Sequence, residues 1–156
     1  MSTLIDQPLL TTVSNEARLA PRRRKNRNFH PADDYPGHRL LNGIEPDSYV
    51  MPHCHYDPHK DETILCLRGR LGVVLFCPSG EVDRSIVLAP AGEVVGIDIP
   101  HGVFHTVLAL DSGTVFFEAK AGPYVPLSLA ERAAWAPAEG SPEVAPYLAA
   151  LHRLFA

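Results

Sequence analysis

The chain contains 156 residues with a formal net charge of −4 at pH 7, and 46% of its residues are hydrophobic. This composition excludes a disordered chain, whose low hydrophobicity and high charge would prevent a core from forming. The 15 prolines and 11 glycines exclude an all-helical bundle, because proline removes a helix hydrogen bond and interior glycine weakens a helix. We therefore expect a single domain of turn-rich β structure.

The distribution of charge and cysteine excludes further classes. Five of the 14 basic residues lie in the segment 22–27, so the remainder of the chain is acidic and does not favour general nucleic-acid binding. No apolar stretch approaches the roughly 20 residues of a membrane span, and the first residues lack a signal-peptide layout. Three cysteines without a C-x-x-C pair indicate neither a disulfide framework nor a thiolate zinc site. We expect a cytoplasmic protein with no nucleic-acid or membrane partner.

Helices are predicted at both ends of the chain. The first 20 residues favour a helix with Asp6 as N-cap, which Pro21 ends. An S-x-x-E capping box from Ser128 to Glu131 predicts a helix over 129–135, and a second C-terminal helix is predicted from Ser141 onward.

The region 38–120 has short β-type runs separated by turn signals, without a long helical periodicity. Such a run of antiparallel strands predicts a sandwich or small barrel around a core or ligand cavity. The chain divides into a helix and basic segment (1–37), a β domain (38–120) and a helical tail (121–156). We expect the tails to cover sheet surface or a second subunit, which predicts a homodimer. The predicted strands are 38–42, 48–55, 62–68, 71–77, 82–88, 94–99, 103–109 and 114–120.

Histidines with ligand spacing lie within these strands. His53 and His55 are two residues apart, so in a strand they point to the same face about 7 Å from each other. Glu62 begins the next strand, where an antiparallel neighbour can lie beside them. His105 comes from a third strand, after a turn at Pro100. These side chains can be directed at one ion.

The same residues resemble the motifs of a known family. His53-x-His55 followed by Glu62 resembles the first cupin motif, and Pro100-x-Gly102-x-x-His105 resembles the second. The segments 22–30, 38–42, 101–107 and 116–124 are similar, more narrowly, to the WbuC-type cupin-fold metalloproteins. The resemblance implies an all-β, cupin-type double-stranded antiparallel β-helix (jelly-roll barrel) with short N-terminal and C-terminal helices.

The resemblance also implies a metal site formed by His53, His55, Glu62 and His105. Six residues separate His55 from Glu62, more than in most cupins, which leaves His59 or Asp61 as alternatives to the carboxylate ligand. Three imidazoles and one carboxylate suit one divalent first-row transition metal: Fe, Mn, Ni, Co or Zn. Four such ligands leave positions on an octahedral ion for water or substrate.

Other residues are candidates for work beside the metal. The basic segment is either a solvated stretch or an anion-binding lip, because guanidinium groups bind carboxylate and phosphate. Arg39 is either an anchor at the cavity mouth or a surface residue, and Glu118 and Lys120 share a strand face and can pair. The catalytic candidates are His101, Glu118 and Tyr124. The substrate-binding candidates are Arg24, Lys25, Arg39 and Lys120.

These features predict a small metal-dependent enzyme that acts on an anionic small molecule, such as a sugar, sugar-derived acid or other carboxylate. WbuC-type proteins are found among genes for surface polysaccharide synthesis, so the resemblance implies sugar chemistry. Two other functions use the same ligands. In one, the protein is a non-catalytic module that binds or senses a small molecule through the metal. In the other, the metal has a purely structural role and stabilises the fold.

Overall fold

The computed structural model describes residues 2–156. It consists of two helices and eight strands: α1 (Gln7–Leu19), β1 (Arg24–Asn28), β2 (Gly37–Ile44), β3 (Glu62–Arg68), β4 (Leu71–Phe76), β5 (Val82–Leu88), β6 (Gly96–Ile99), β7 (Phe104–Ala109), β8 (Thr114–Ala121) and α2 (Val144–Arg153). No helix within residues 2–156 combines the length and the apolar character that a membrane crossing requires.

The strands form two antiparallel sheets. The five-stranded sheet has the order β1-β2-β8-β3-β6, and the three-stranded sheet has the order β5-β4-β7. Strands that are distant in sequence, such as β2, β8 and β3, are therefore neighbours in space. The prediction of a mostly β, two-sheet fold with a short helix towards each end is confirmed.

The main hydrophobic core contains side chains from both sheets. Ile64 and Phe116 of the five-stranded sheet are buried in one cluster with Val73 and Leu88 of the three-stranded sheet. Because side chains alternate along a strand, Glu62 at the start of β3 points to the same side as Ile64. The alternation that builds the core therefore also directs a carboxylate inward.

Helix α1 covers the outer face of the five-stranded sheet. The Asp6 side chain accepts a hydrogen bond from the Leu9 N–H at 2.9 Å, which confirms the predicted N-cap. Leu10 and Val13 are buried against Leu41 of β2. The helix thus shields one face of the strand whose other face lines the interior.

Close contact between α1 and β2 depends on Gly43. A Cβ at this position would lie 2.6 Å from the Val13 carbonyl oxygen and 2.9 Å from the Ala17 Cβ. We expect Gly43→Ala to lower the free energy of unfolding by about 1–3 kcal/mol, because overpacking forces the helix away from the sheet. Urea unfolding measures the change. Gly37→Ala is the control, since a Cβ at Gly37 meets nothing within 4 Å, and equal stability of the two variants would contradict the prediction.

The predicted strand over 48–55 is wrong. In this segment only His53 makes β-bridges, one to His105 and one to Arg132. The Cys54 N–H donates to the Glu131 carbonyl at 2.9 Å, so backbone groups here pair with two different parts of the chain. The segment is extended but belongs to neither sheet.

The predicted helix over 129–135 is also wrong, and its capping box forms only in part: the Glu131 carboxylate accepts from the Ser128 N–H at 2.9 Å, but the Ser128 hydroxyl does not accept from the Glu131 N–H. The Ser128 hydroxyl donates to Glu131 Oε2 at 2.7 Å. The chain then continues as turns, because the Glu131 carbonyl accepts from Cys54 and the Ala133 N–H donates to Pro52 at 3.0 Å. Tertiary hydrogen bonds replace the helical ones. The later helix is confirmed as α2.

A strand that the sequence analysis did not predict lies in the basic segment. Arg24–Asn28 form β1, which pairs with β2 at the edge of the five-stranded sheet. Its five residues are all polar or charged, so no apolar alternation marked it as a strand. Four of the six residues in the segment 22–27, interpreted as a solvated stretch or an anion-binding lip, are therefore part of the sheet.

Candidate metal centre

His53 lies on an extended segment between β2 and β3 that is held from two sides. Its N–H donates to the His105 carbonyl at 3.0 Å, and the His105 N–H donates to the His53 carbonyl at 2.9 Å. On the other side, Glu131 accepts from Cys54 through its carbonyl and from Tyr56 through its carboxylate at 3.0 Å. The backbone of this segment is therefore positioned without being a regular strand.

The structure brings the four predicted ligand side chains together. His53, His55 and Glu62 each offer one ligand atom, and these atoms lie within 4.8 Å of one another. Glu62 Oε2 lies 3.3 Å from His55 Nε2 and 3.7 Å from His105 Nε2. The rings of His53 and His105 have their centroids 4.7 Å apart. Two strands, β3 and β7, and one extended segment thus place three imidazoles around one carboxylate.

Three polar atoms of this cluster are buried without a hydrogen-bond partner among residues 2–156: His55 Nε2, Glu62 Oε2 and His105 Nε2. Glu62 Oε2 is within ion-pair distance of both histidines but forms a hydrogen bond with neither. A buried polar group without a partner costs about 1–3 kcal/mol. A cation among these atoms would remove that cost, so the residues present fit a bound metal.

Backbone carbonyls orient two of the imidazoles. His53 Nδ1 lies 3.0 Å from the Met51 carbonyl oxygen, and His105 Nδ1 lies 2.9 Å from that of Val103. A carbonyl only accepts, so Nδ1–H donates in both rings and each Nε2 carries the lone pair that a metal needs.

The electrostatics favour the ligand forms of two of these groups. Burial, reinforced by the nearby His105, lowers the pKa of His53 to about 3, so its ring is neutral at pH 7. Burial alone would raise the pKa of Glu62, but the Lys120 ammonium and the imidazoles hold it well below its usual range. A neutral imidazole and an ionised carboxylate are the protonation states that bind metals.

The two alternatives to Glu62 lie elsewhere. Asp61 Oδ1 accepts from the His101 N–H at 2.8 Å and lies 2.8 Å from His101 Nδ1. The Asp61 side chain is 53% exposed, whereas that of Glu62 is 6% exposed. His59 is also exposed. The structure places Glu62 among the imidazoles, and it does not place Asp61 or His59 there.

Lys120 lies between two carboxylates beside the cluster. Its Nζ is 2.7 Å from Glu118 Oε1 and 3.7 Å from Glu62 Oε2. Glu118 also accepts from Asn42 Nδ2 at 2.9 Å. Burial and the charge of Glu62 raise the pKa of Glu118 above its usual value. The predicted pairing of Glu118 with Lys120 is confirmed, and it directly adjoins the ligand carboxylate.

A cavity of about 830 Å³ opens from this centre. Among the residues that line it are His53, His105, Glu118, Lys120 and Tyr124. This volume lies within the usual range for small-molecule sites. His101 does not line the cavity. It is hydrogen-bonded to Asp61 at the surface. Its position therefore does not support the predicted catalytic role.

The cations of the basic segment have different surroundings. Arg22 forms two 2.6 Å hydrogen bonds with the Glu139 carboxylate, and Arg24 donates to the same carboxylate at 3.1 Å. Arg24 also donates to the Tyr49 carbonyl at 2.8 Å, so it connects the chain's own elements although it lines the cavity. Lys25 lines the cavity and has no ion-pair partner within the described part of the chain.

Arg39 lies outside the cavity. Its guanidinium carbon is 5.7 Å from the centre of the Tyr35 ring, and the side chain is exposed. On β2 the residues at 38, 40 and 42 line the cavity, so alternation turns Arg39 to the opposite face. The interpretation of Arg39 as an anchor at the cavity mouth is therefore corrected to that of a surface residue.

The sequence analysis missed several polar residues of the cavity wall. Four of them occupy alternate positions of β1 and β2, and His30 lies two residues beyond the end of β1. Alternation from Leu40 could have identified those on β2 as inward-facing. The residues concerned are Asn26, Asn28, His30, His38 and Asn42.

Comparison with known proteins relates the chain to one family. The family described as a domain of unknown function (DUF6016) matches residues 5–88. No curated protein matches the sequence.

Solved structures share the fold at low sequence identity. KdgF from Halomonas sp. is 16% identical with a TM-score of 0.52, and the match covers 69% of this chain and 85% of KdgF. A recombinant oxalate oxidase in complex with glycolate is 15% identical with a TM-score of 0.51, covering 68% of this chain and 55% of the oxidase. A cupin-2 domain protein from Shewanella frigidimarina is 24% identical with a TM-score of 0.46, covering 63% and 80%. At these identities KdgF and the oxalate oxidase show a shared fold with this chain.

Proposed function

The chain belongs to DUF6016, a family whose description states no function, and we propose that it is a metal-binding cupin that works as a small metal-dependent enzyme. The observation that carries this proposal is the set of buried, unpartnered donor atoms of His55, Glu62 and His105 beside a cavity of about 830 Å³. Buried polar atoms without a hydrogen-bond partner lower stability unless a bound ligand supplies the missing partner. Their position at a cavity wall makes any bound ion accessible to a small molecule.

His53, His55, Glu62 and His105 would hold one divalent first-row transition metal: Fe, Mn, Ni, Co or Zn. A metal in such a site supplies Lewis-acid activation of a carbonyl or hydroxyl group, or a bound water of lowered pKa. Among the chain's own groups, Glu118 and Tyr124 line the cavity and are the candidates for moving a proton.

Charge favours an anionic substrate. Glu62, Glu118 and Lys120 together carry one net negative formal charge, and a divalent ion would reverse this to one net positive charge. The oxalate oxidase that shares this fold was solved with glycolate, a small acid. We therefore propose an anionic small molecule as the substrate, with Lys120 as the cation nearest to it.

The resemblance to WbuC-type proteins extends the proposal to sugar chemistry. We propose that the substrate is an anionic sugar or a sugar-derived acid, used in surface polysaccharide synthesis. The same reasoning keeps a single cupin domain over 1–156, a homodimer and a cytoplasmic location as parts of the proposal. Light scattering of the purified protein tests the homodimer, and a monomeric mass would overturn it.

One observation favours a binding or sensing module instead. Glu118 and Lys120 neutralise each other at 2.7 Å, and His101 lies outside the cavity, so few groups are left to act as acid or base. Such a module would use the metal to orient its ligand without turnover.

A turnover assay separates the two functions. Wild type purified with its own metal is incubated with a panel of sugar acids and sugar phosphates, and products are followed by mass spectrometry. We expect steady product formation that falls at least about 100-fold in Glu62→Gln, while Glu81→Gln, on the surface turn before β5, retains it. Tight binding without product in wild type would overturn the enzyme and support the sensing module.

A further inference from the structure

A row of polar side chains crosses the five-stranded sheet from the metal centre. Glu62 of β3 is in register with Lys120 of β8, and Lys120 is in register with His38 of β2. Directly opposed side chains on neighbouring antiparallel strands point to the same face. With about 5 Å between strands, His38 lies about 10 Å from Glu62 across the sheet.

His38 stacks on a second buried histidine. Its ring is parallel to that of His30 within 8°, with the centroids 3.9 Å apart. His30 is 7% exposed and His38 is 5% exposed, and both line the cavity that contains the metal centre. Neither residue has a role in the proposed metal site.

The hydrogen bonds of His30 define its free nitrogen. His30 Nδ1 lies 3.2 Å from both the N–H and the carbonyl oxygen of Arg39. The Arg39 carbonyl already accepts from the Phe29 N–H at 2.8 Å, whereas the Arg39 N–H donates to His30 Nδ1. We therefore assign His30 Nδ1 as an acceptor, which places the proton of the neutral ring on Nε2. Within residues 2–156, no group accepts a hydrogen bond from that N–H.

In His38 the bonded ring nitrogen is a donor, whereas in His30 it is an acceptor. Its Nε2 lies 3.1 Å from the Asp33 carbonyl oxygen, and a carbonyl only accepts, so Nε2 donates and Nδ1 keeps a lone pair. No donor in the described part of the chain reaches that lone pair. The stacked pair therefore offers one free donor and one free acceptor, which is the combination that a hydroxyl group satisfies.

Two asparagines extend this pattern. The Asn42 amide nitrogen donates to Glu118 Oε2 at 2.9 Å, and the Asn28 amide oxygen accepts from the Asn26 amide nitrogen at 2.7 Å. One polar atom of each amide remains for a ligand. The cavity wall away from the metal is thus built of neutral hydrogen-bonding groups, in contrast to the charged groups around Glu62 and Lys120.

We propose that His30, His38, Asn28 and Asn42 form a hydroxyl-binding wall that selects polyhydroxylated acids of about six carbons. The anionic end is held at the metal centre and Lys120, and the hydroxyl groups at the other end pair with the wall. A two-carbon acid at the metal centre cannot span the about 10 Å between Glu62 and His38. The assignment rests on the proposed function, because the metal centre supplies the first anchor.

Calorimetric titration of metal-loaded protein tests the proposal. The probes are D-gluconate, D-glucuronate and D-galacturonate, with hexanoate as the six-carbon acid that lacks hydroxyl groups and glycolate as the short acid. We expect at least one of the three hydroxy acids to bind about tenfold or more tightly than hexanoate, the effect of about one hydrogen bond. If none binds more tightly than hexanoate, the hydroxyl-binding wall is overturned.

The variants His30→Gln and His38→Gln locate the effect. Glutamine keeps one amide group for the backbone partner but removes the second ring nitrogen and the stacked pair. We expect each to weaken hydroxy-acid binding about tenfold and to leave glycolate binding and metal content unchanged. His152→Gln, which replaces a histidine bonded to the Pro46 carbonyl at 2.9 Å outside the cavity, should change nothing.

The two proposals fail in different ways. Hydroxy-acid affinity that is unchanged in both glutamine variants overturns the wall while metal binding stands. A wild-type protein that binds neither metal nor glycolate overturns the proposed function. If one glutamine variant does not fold, the other variant still tests the hydroxyl-binding wall. The comparison of hydroxy acids with hexanoate in wild type tests it independently of both variants.

Discussion

His53→Ala and His105→Ala should each reduce bound metal from about one ion per chain to near zero. Both rings are oriented by carbonyls that hold their Nδ1 protons, at 3.0 Å for His53 and 2.9 Å for His105. Loss of a group that only orients a ligand lowers metal affinity 10- to 100-fold in other proteins, so we expect loss of the ligand itself to cost about 100-fold or more. Elemental analysis of gently purified protein and competition titration with a chelator measure the change.

The matched control for these variants is His101→Ala. His101 follows the same turn that leads to His105, but it is bonded to Asp61 at the surface. It should keep the metal content of wild type. A wild-type protein that holds no metal and takes up none on addition would refute the site, as would equal metal loss in the control.

Lys120→Met should destabilise the metal-free protein by about 3–5 kcal/mol. The substitution keeps the length of the side chain but leaves Glu62 and Glu118 without their shared cation, and a buried charge that loses its partner costs this much. Added metal should reduce the difference in the free energy of unfolding between Lys120→Met and wild type, because a divalent cation beside Glu62 replaces part of the lost positive charge. Urea unfolding with and without metal measures both effects.

Lys25→Met is the control for this prediction. Lys25 is exposed and has no ion-pair partner within residues 2–156, so its removal should change stability by less than about 0.5 kcal/mol. If Lys120→Met is as stable as this control without metal, the interpretation of Lys120 as the counter-ion of Glu62 and Glu118 is wrong.

The boundaries of β3 and β5 were predicted correctly because each is a short β-type run bounded by turn signals. β1 was missed because none of its residues is apolar. The segment 48–55 and the segment 129–135 were predicted with regular structure that they lack. In both cases hydrogen bonds between the two segments replace the local pattern, and no local signal in either segment contains that information.

The candidate site divides in the same way. The two-residue spacing of His53 and His55 predicted that these imidazoles could face one ion. The resemblance to the cupin motifs implied that Glu62 and His105 join them. The row that links Glu62, Lys120 and His38 could not be predicted. It requires β2 and β3 to lie on either side of β8, and that neighbour relation is absent from any one segment.

The sequence by itself determined the class of fold and the N-cap of α1, because these depend on composition, on alternation along single strands and on residues close in the chain. It also gave the candidate ligands, through the resemblance to the cupin motifs. Only the tertiary structure decided that Arg24 bonds to Glu139, that Arg39 points away, and that His30 stacks on His38 in the cavity wall. These outcomes depend on which strands pair and in what register. A one-residue change of register would turn each of these side chains to the other face of its sheet.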